Sequence, residues 1–151
     1  MTTLTQFESL ISNTFESLKM DPGFDFKRPS GTAKTQLTWS SPSSRTGYVT
    51  IKLHNAPNMR TVKTQFPKLE CALTLFVPNM HVHQQRLNQL GIFYALDGKE
   101  CKTSTKAGTR YTIAVDPKQG EITHLQQDLI KQLIKESIQS LAKYECRRLP
   151  V

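Results

Sequence analysis

One stretch near the end of the chain constrains the rest more than any other. Ile122, Leu125, Leu129, Ile130, Leu133, Ile134, Ile138, Leu141 and Tyr144 recur at helical spacing and draw one broad apolar stripe along about six turns. Thr123 followed by Gln126 has the spacing of a capping box at its start. Burying most of that stripe is worth, as an upper estimate, about 15 to 25 kcal/mol of gross apolar stabilisation. Such a helix must lie against a second apolar surface. Its polar side, with Gln127, Lys131, Lys135 and Gln139, carries too few cations for a helix that rests on a membrane.

Strands supply that surface. Leu37 and Trp39 alternate in one short run, and Val49, Ile51 and Leu53 in a second, with Ser41 to Arg45 between them as a hairpin loop. On the second run the opposite side reads Tyr48, Thr50 and Lys52: an aromatic ring, a hydroxyl and a cation in a row that could meet solvent or a ligand. Leu69, Cys71, Leu73, Leu75 and Val77 mark a third strand, and Ala72 and Phe76 on its other side give it a central place. Further strands follow over Ile92 to Leu96, Lys99 to Thr105 and Thr109 to Val115, joined by tight turns into a small antiparallel meander.

Two weaker helices complete the outline. Thr5 and Glu8 have capping-box spacing, and Phe7, Leu10, Ile11, Phe15 and Leu18 share one face of a helix that stops before Asp21-Pro22-Gly23. Asn58 can cap a short helix carrying Met59, Val62 and Phe66, with Arg60 and Lys63 on its outer side, although an extended alternation fits nearly as well. Asn79 can open one more helical turn that Gly91 closes. The expectation is a single α+β domain over residues 1–151, two-layered, with an N-terminal helix and a long C-terminal amphipathic helix packed on one antiparallel sheet. The element order resembles the helix-sheet-helix layout of the small proteins that bind the Alu part of signal recognition particle RNA, without a residue motif in support. A sheet and a long helix could also enclose a small ligand, as in helix-grip proteins, but those begin with a strand and this chain begins with a helix.

Charge is distributed unevenly. From Phe26 to Leu69 there are eight Lys or Arg residues and no carboxylate, while the remainder balances, so the whole formal charge of +8 comes from this one segment. A localised positive field suits a partner rich in phosphate or carboxylate. Lys27, Arg28, Arg45, Lys52, Arg60 and Lys63 belong to it. Lys99, Lys102, Lys106 and Arg110 form a second basic group, on a hairpin with Thr103, Ser104, Thr105 and Gly108 and with one carboxylate, Glu100, among them. Cations beside hydroxyls are the donors that grip phosphate oxygens without reading bases. Together with Tyr48 these cations, Lys99 apart, are the candidate nucleic-acid-binding set, and Trp39 and Tyr111 are further aromatic rings for unpaired bases, Trp39 being the better core residue.

Catalysis finds little footing. His81-Val82-His83 would place two imidazoles on one side of a strand, but a metal needs further ligands that only His54, Cys71, Cys101 or His124 could bring from a distance. Glu100-Cys101-Lys102 resembles the acidic-x-Lys end of a metal-dependent nuclease motif, yet the earlier strands offer no second carboxylate. No phosphate-binding loop and no nucleophile elbow is present. The expected function is therefore a non-catalytic module that binds nucleic acid, RNA or DNA, with no cofactor and no metal. The alternative is an adaptor, chaperone or inhibitor that binds an acidic protein, with Met59, Phe66 or Met80 as apolar anchors. The opening residues lack a signal peptide, no apolar run spans a membrane, and three cysteines without short spacing suit a reducing compartment. These point to cytoplasm or nucleus, not secretion. An exposed edge strand could pair two copies into a homodimer.

Overall fold

The computed structural model describes residues 2–18, 36–39, 49–54, 56, 59–96, 104–105 and 108–148. In chain order these form α1 (Thr3–Leu18), β1 (Gln36–Trp39), β2 (Val49–Leu53), α2 (Arg60–Gln65), β3 (Cys71–Val77), α3 (Gln84–Gln89), β4 (Ile92–Leu96), β5 (Ser104–Thr105), β6 (Gly108–Val115) and α4 (His124–Arg148). Short 3-10 turns over Met80–Val82 and Pro117–Gln119 link them. The sheet runs β1-β2-β3-β6-β4, every pairing antiparallel, and the two-residue β5 pairs with β6. This is the two-layer α+β arrangement expected, with α1 and α4 packed on one face of the sheet.

The α4 stripe behaves as its spacing demands. Leu129, Ile130, Leu133, Ile134 and Ile138 are fully buried against Leu73, Leu75, Ile113 and the α1 residues Phe7 and Ile11. Leu125, by contrast, is 60% exposed, because it lies at the margin of the stripe in the first turn. The capping box closes as read: Thr123 N donates to Gln126 Oε1 at 3.0 Å and Gln126 N to Thr123 Oγ1 at 3.2 Å. For α1 the cap sits one turn earlier than expected, with Thr5 N donating to Thr2 Oγ1 at 3.2 Å. Gln6 ties the two helices together by accepting from Ile122 N at 2.9 Å.

Two other expectations need correction. The meander is broken, since β6 sits between β3 and β4 and pairs with both. Its residues explain why: Ile113 and Val115 reach the main core while Thr112 and Ala114 are buried on the other side, so it needs cover on both faces. His81 and His83 lie on a 3-10 turn and its C-cap rather than on a strand. The short helix read there is present as α2, with Met59 as N-cap without a side-chain bond; Asn58 lies outside the described residues.

α2 covers one end of the sheet face turned away from α1 and α4. Met59 and Val62 pack with Ala56, Leu69, Ala72 and Ala114, flanked by Phe66, Phe93 and Ala95. Alanines on the strands let the short helix come close. Among the described residues no helix is long and apolar enough to cross a membrane.

Candidate nucleic-acid interface

Strand alternation decides which side chains reach the second face of the sheet. Thr38, Thr50, Thr74 and Thr112 are consecutive register partners across β1, β2, β3 and β6. Their hydroxyls meet in pairs, Oγ1 to Oγ1 at 3.2 Å for Thr38 and Thr50 and at 3.1 Å for Thr74 and Thr112. Two residues along from this row, Lys52 lies on β2 and, in the other direction, Arg110 on β6. No residue of β1, β2, β3, β4 or β6 is a carboxylate.

The candidate residues fall into two groups. Lys27, Arg28, Arg45, Tyr48, Lys102 and Lys106 lie outside the described residues. Of the rest, Lys52 and Arg110 share the second face, and Arg60 and Lys63 ride on the helix that covers part of it. Lys52 is only 4% exposed, which corrects the picture of an open Tyr48-Thr50-Lys52 side. Arg110 is half-buried, its guanidinium 4.9 Å from the centre of the Phe76 ring, a cation-π contact that orients it. Lys63 Nζ donates to the His54 carbonyl at 3.0 Å, and His54 Nδ1 lies 3.1 Å from the Leu69 carbonyl oxygen, which ties α2 back to the end of β2. Arg60 is exposed at the helix start.

Charge and periodicity did not single out Lys68 and Lys118, and pointed to Phe66 only as an apolar anchor for a protein partner. They surround open grooves at the sheet end where β4 begins, β6 ends and β3 begins. One groove of about 520 Å³ is bounded by Phe66, Pro67, Lys68, Asp116, Pro117 and Lys118. A second, of about 380 Å³, shares Gln65 and Phe66 with it and continues over Asn88, Phe93 and Tyr94. A third, of about 290 Å³, shares Lys68 and Pro117 and carries Glu70 and Glu121. Lys68 closes the acid-free segment and Lys118 lies outside it, so only the fold puts them side by side. Asp116 Oδ1 accepts from Lys118 N at 2.9 Å, capping the turn that presents Lys118.

The remaining chemistry-bearing groups serve the fold. His83 is buried with Nε2 2.7 Å from Glu136 Oε2, which joins the end of the 3-10 turn to α4. Cys71 is buried on β3; burial, reinforced by the Glu70 carboxylate, pushes its thiol up to about 12, so it is no nucleophile at neutral pH. Among the described residues no cluster of three or more His, Cys, Asp or Glu could hold a metal. Trp39 is 2% exposed in the core and is no stacking platform, and Tyr111 packs edge-on to Tyr94 at 6.1 Å. No family model, curated protein or solved structure matches the chain.

Proposed function

We propose that the protein is a non-catalytic binding module for nucleic acid, RNA or DNA, gripping the phosphate backbone on the side of the sheet away from α1 and α4. The observation that carries this reading is where the described part of the acid-free segment lies. It supplies β1, β2 and α2, which are one edge of the sheet and the cover of its second face. Arg60 and Lys63 come from that segment, while Arg110 lies on the same face of the sheet toward its opposite end. Cations on an exposed helix favour phosphate and carry no base preference of their own.

An acidic partner protein would meet the same charge, but of the three apolar anchors such contact would use, Met59 and Met80 are 2% and 6% exposed, which leaves the half-buried Phe66 alone. Binding to a random-sequence oligonucleotide across a salt series tests the proposal. The logarithm of affinity should fall linearly with the logarithm of salt concentration, and replacing Arg60 and Lys63 together by Glu should lower the slope by about 1.4 to 1.8, the share of two phosphate contacts. Absence of binding at low salt, or a slope untouched by the double substitution, would refute it.

A further inference from the structure

We infer that the nucleic acid held here is an unpaired strand, with successive nucleotides seated on the two sides of Phe66. The inference rests on the backbone-binding reading above and names the form of its ligand. Phe66 is the wall common to the grooves of about 520 and 380 Å³. It is half-buried, and its contact with Phe93, centroids 5.9 Å apart at 80°, holds the ring in place while leaving it at both groove surfaces. A fixed aromatic ring beside cations is the arrangement on which unstacked bases settle, because every base has a π-face to offer.

The groove linings divide the work of holding a nucleotide. In the larger groove Pro67 and Pro117 add apolar wall beside Phe66, while Lys68 and Lys118 supply positive charge for a phosphate. The Asp116 carboxylate there spends one oxygen on the Lys118 backbone, and two lysines face it, so the groove keeps a net positive charge. In the smaller groove no charged side chain is present, and the Gln65 and Asn88 amides offer both donors and acceptors to a base edge. The third groove carries two carboxylates against one lysine, which disfavours phosphate there. A duplex keeps its bases stacked inside and cannot place one against Phe66.

Fluorescence anisotropy with a short oligothymidylate, the matching oligouridylate and a duplex of the same length, at one salt concentration, tests the inference. The single strands should bind about tenfold tighter than the duplex. Phe66→Leu, which keeps an apolar contact with Phe93 but removes the ring, should cut single-strand affinity by about tenfold and leave the duplex nearly unchanged. Lys68→Glu with Lys118→Glu, both on exposed residues, should weaken single-strand binding without altering the melting temperature. Equal affinity for duplex and single strand overturns the inference and leaves backbone binding standing. Single-strand preference that survives both variants also overturns it, and no binding to any of the three refutes both readings.

Discussion

Replacing Gln126 by Ala would remove more than a helix cap. The side chain is 3% exposed, and its Oε1 accepts from Thr123 N at 3.0 Å and from Gln119 Nε2 at 2.6 Å. Its Nε2 donates to the Leu90 carbonyl at 2.7 Å and to Gln119 Oε1 at 3.2 Å, so one amide joins the start of α4, the end of α3 and the Pro117–Gln119 turn. The Gln126 N bond to Thr123 Oγ1 survives, and loss of the reciprocal Thr123 N bond costs about 1 kcal/mol. The Leu90 carbonyl and Gln119 amide left without these bonds add about 1 to 3 kcal/mol. At about 2 to 4 °C per kcal/mol for a chain of this size, the melting temperature should fall by about 5 to 15 °C. Gln126→Glu keeps the acceptor for Thr123 N and places negative charge at the helix start, worth about 0.3 to 1 kcal/mol. It also sets a carboxylate oxygen against the Leu90 carbonyl, so at neutral pH this variant should melt between wild type and Gln126→Ala. Below about pH 4 its carboxyl is protonated, can donate to Leu90, and should close part of the gap. Circular dichroism melts at both pH values provide the measurement. A Gln126→Ala melt within about 1 °C of wild type would show that the network does not hold the helix end.

Other perturbations follow from the same packing. Ser137 Oγ accepts from Phe76 N at 3.0 Å inside the core, so Ser137→Ala should lower urea-unfolding stability by about 1 to 3 kcal/mol; an unchanged midpoint would mean Phe76 N finds another partner. Leu133→Ala empties a fully buried position between α4 and the sheet and should cost about 2 to 5 kcal/mol, read in the same assay. The Cys71 thiol, raised from 9.0 to about 12 in the folded chain, keeps a proton there that the unfolded chain releases. Its contribution to stability is therefore intact below pH 9.0 and is lost as pH climbs toward 12, at about 1.4 kcal/mol per pH unit, and Cys71→Ala should flatten that part of the stability curve. Parallel curves for the two proteins would contradict it.

The basic face owes its form to a balance between burial and charge. Lys52 has lost nearly all contact with solvent, whereas Arg60 and Lys68 keep theirs. A cation on a strand is confined by neighbours on both sides, while one on a short covering helix or the turn after it can extend its stem and leave the charge in water. Under the proposed function, a phosphate would therefore meet α2 and the Phe66 grooves first.

Local pattern was enough for the elements whose stabilisation is local or one-sided. The α4 stripe and its capping box, the alternation of β2, β3 and β4, and the core role of Trp39 all follow from spacing and side-chain type, because a one-faced helix or strand has a single way to bury itself. Absence of acid between Phe26 and Leu69 was equally plain in the chain. Tertiary structure alone decided that β6 enters between β3 and β4, that Lys52 is buried, and that Phe66, Lys68 and Lys118 bound one groove. Those facts depend on which strand edges pair and which loops meet, and pairing between distant segments leaves no periodic mark along the chain.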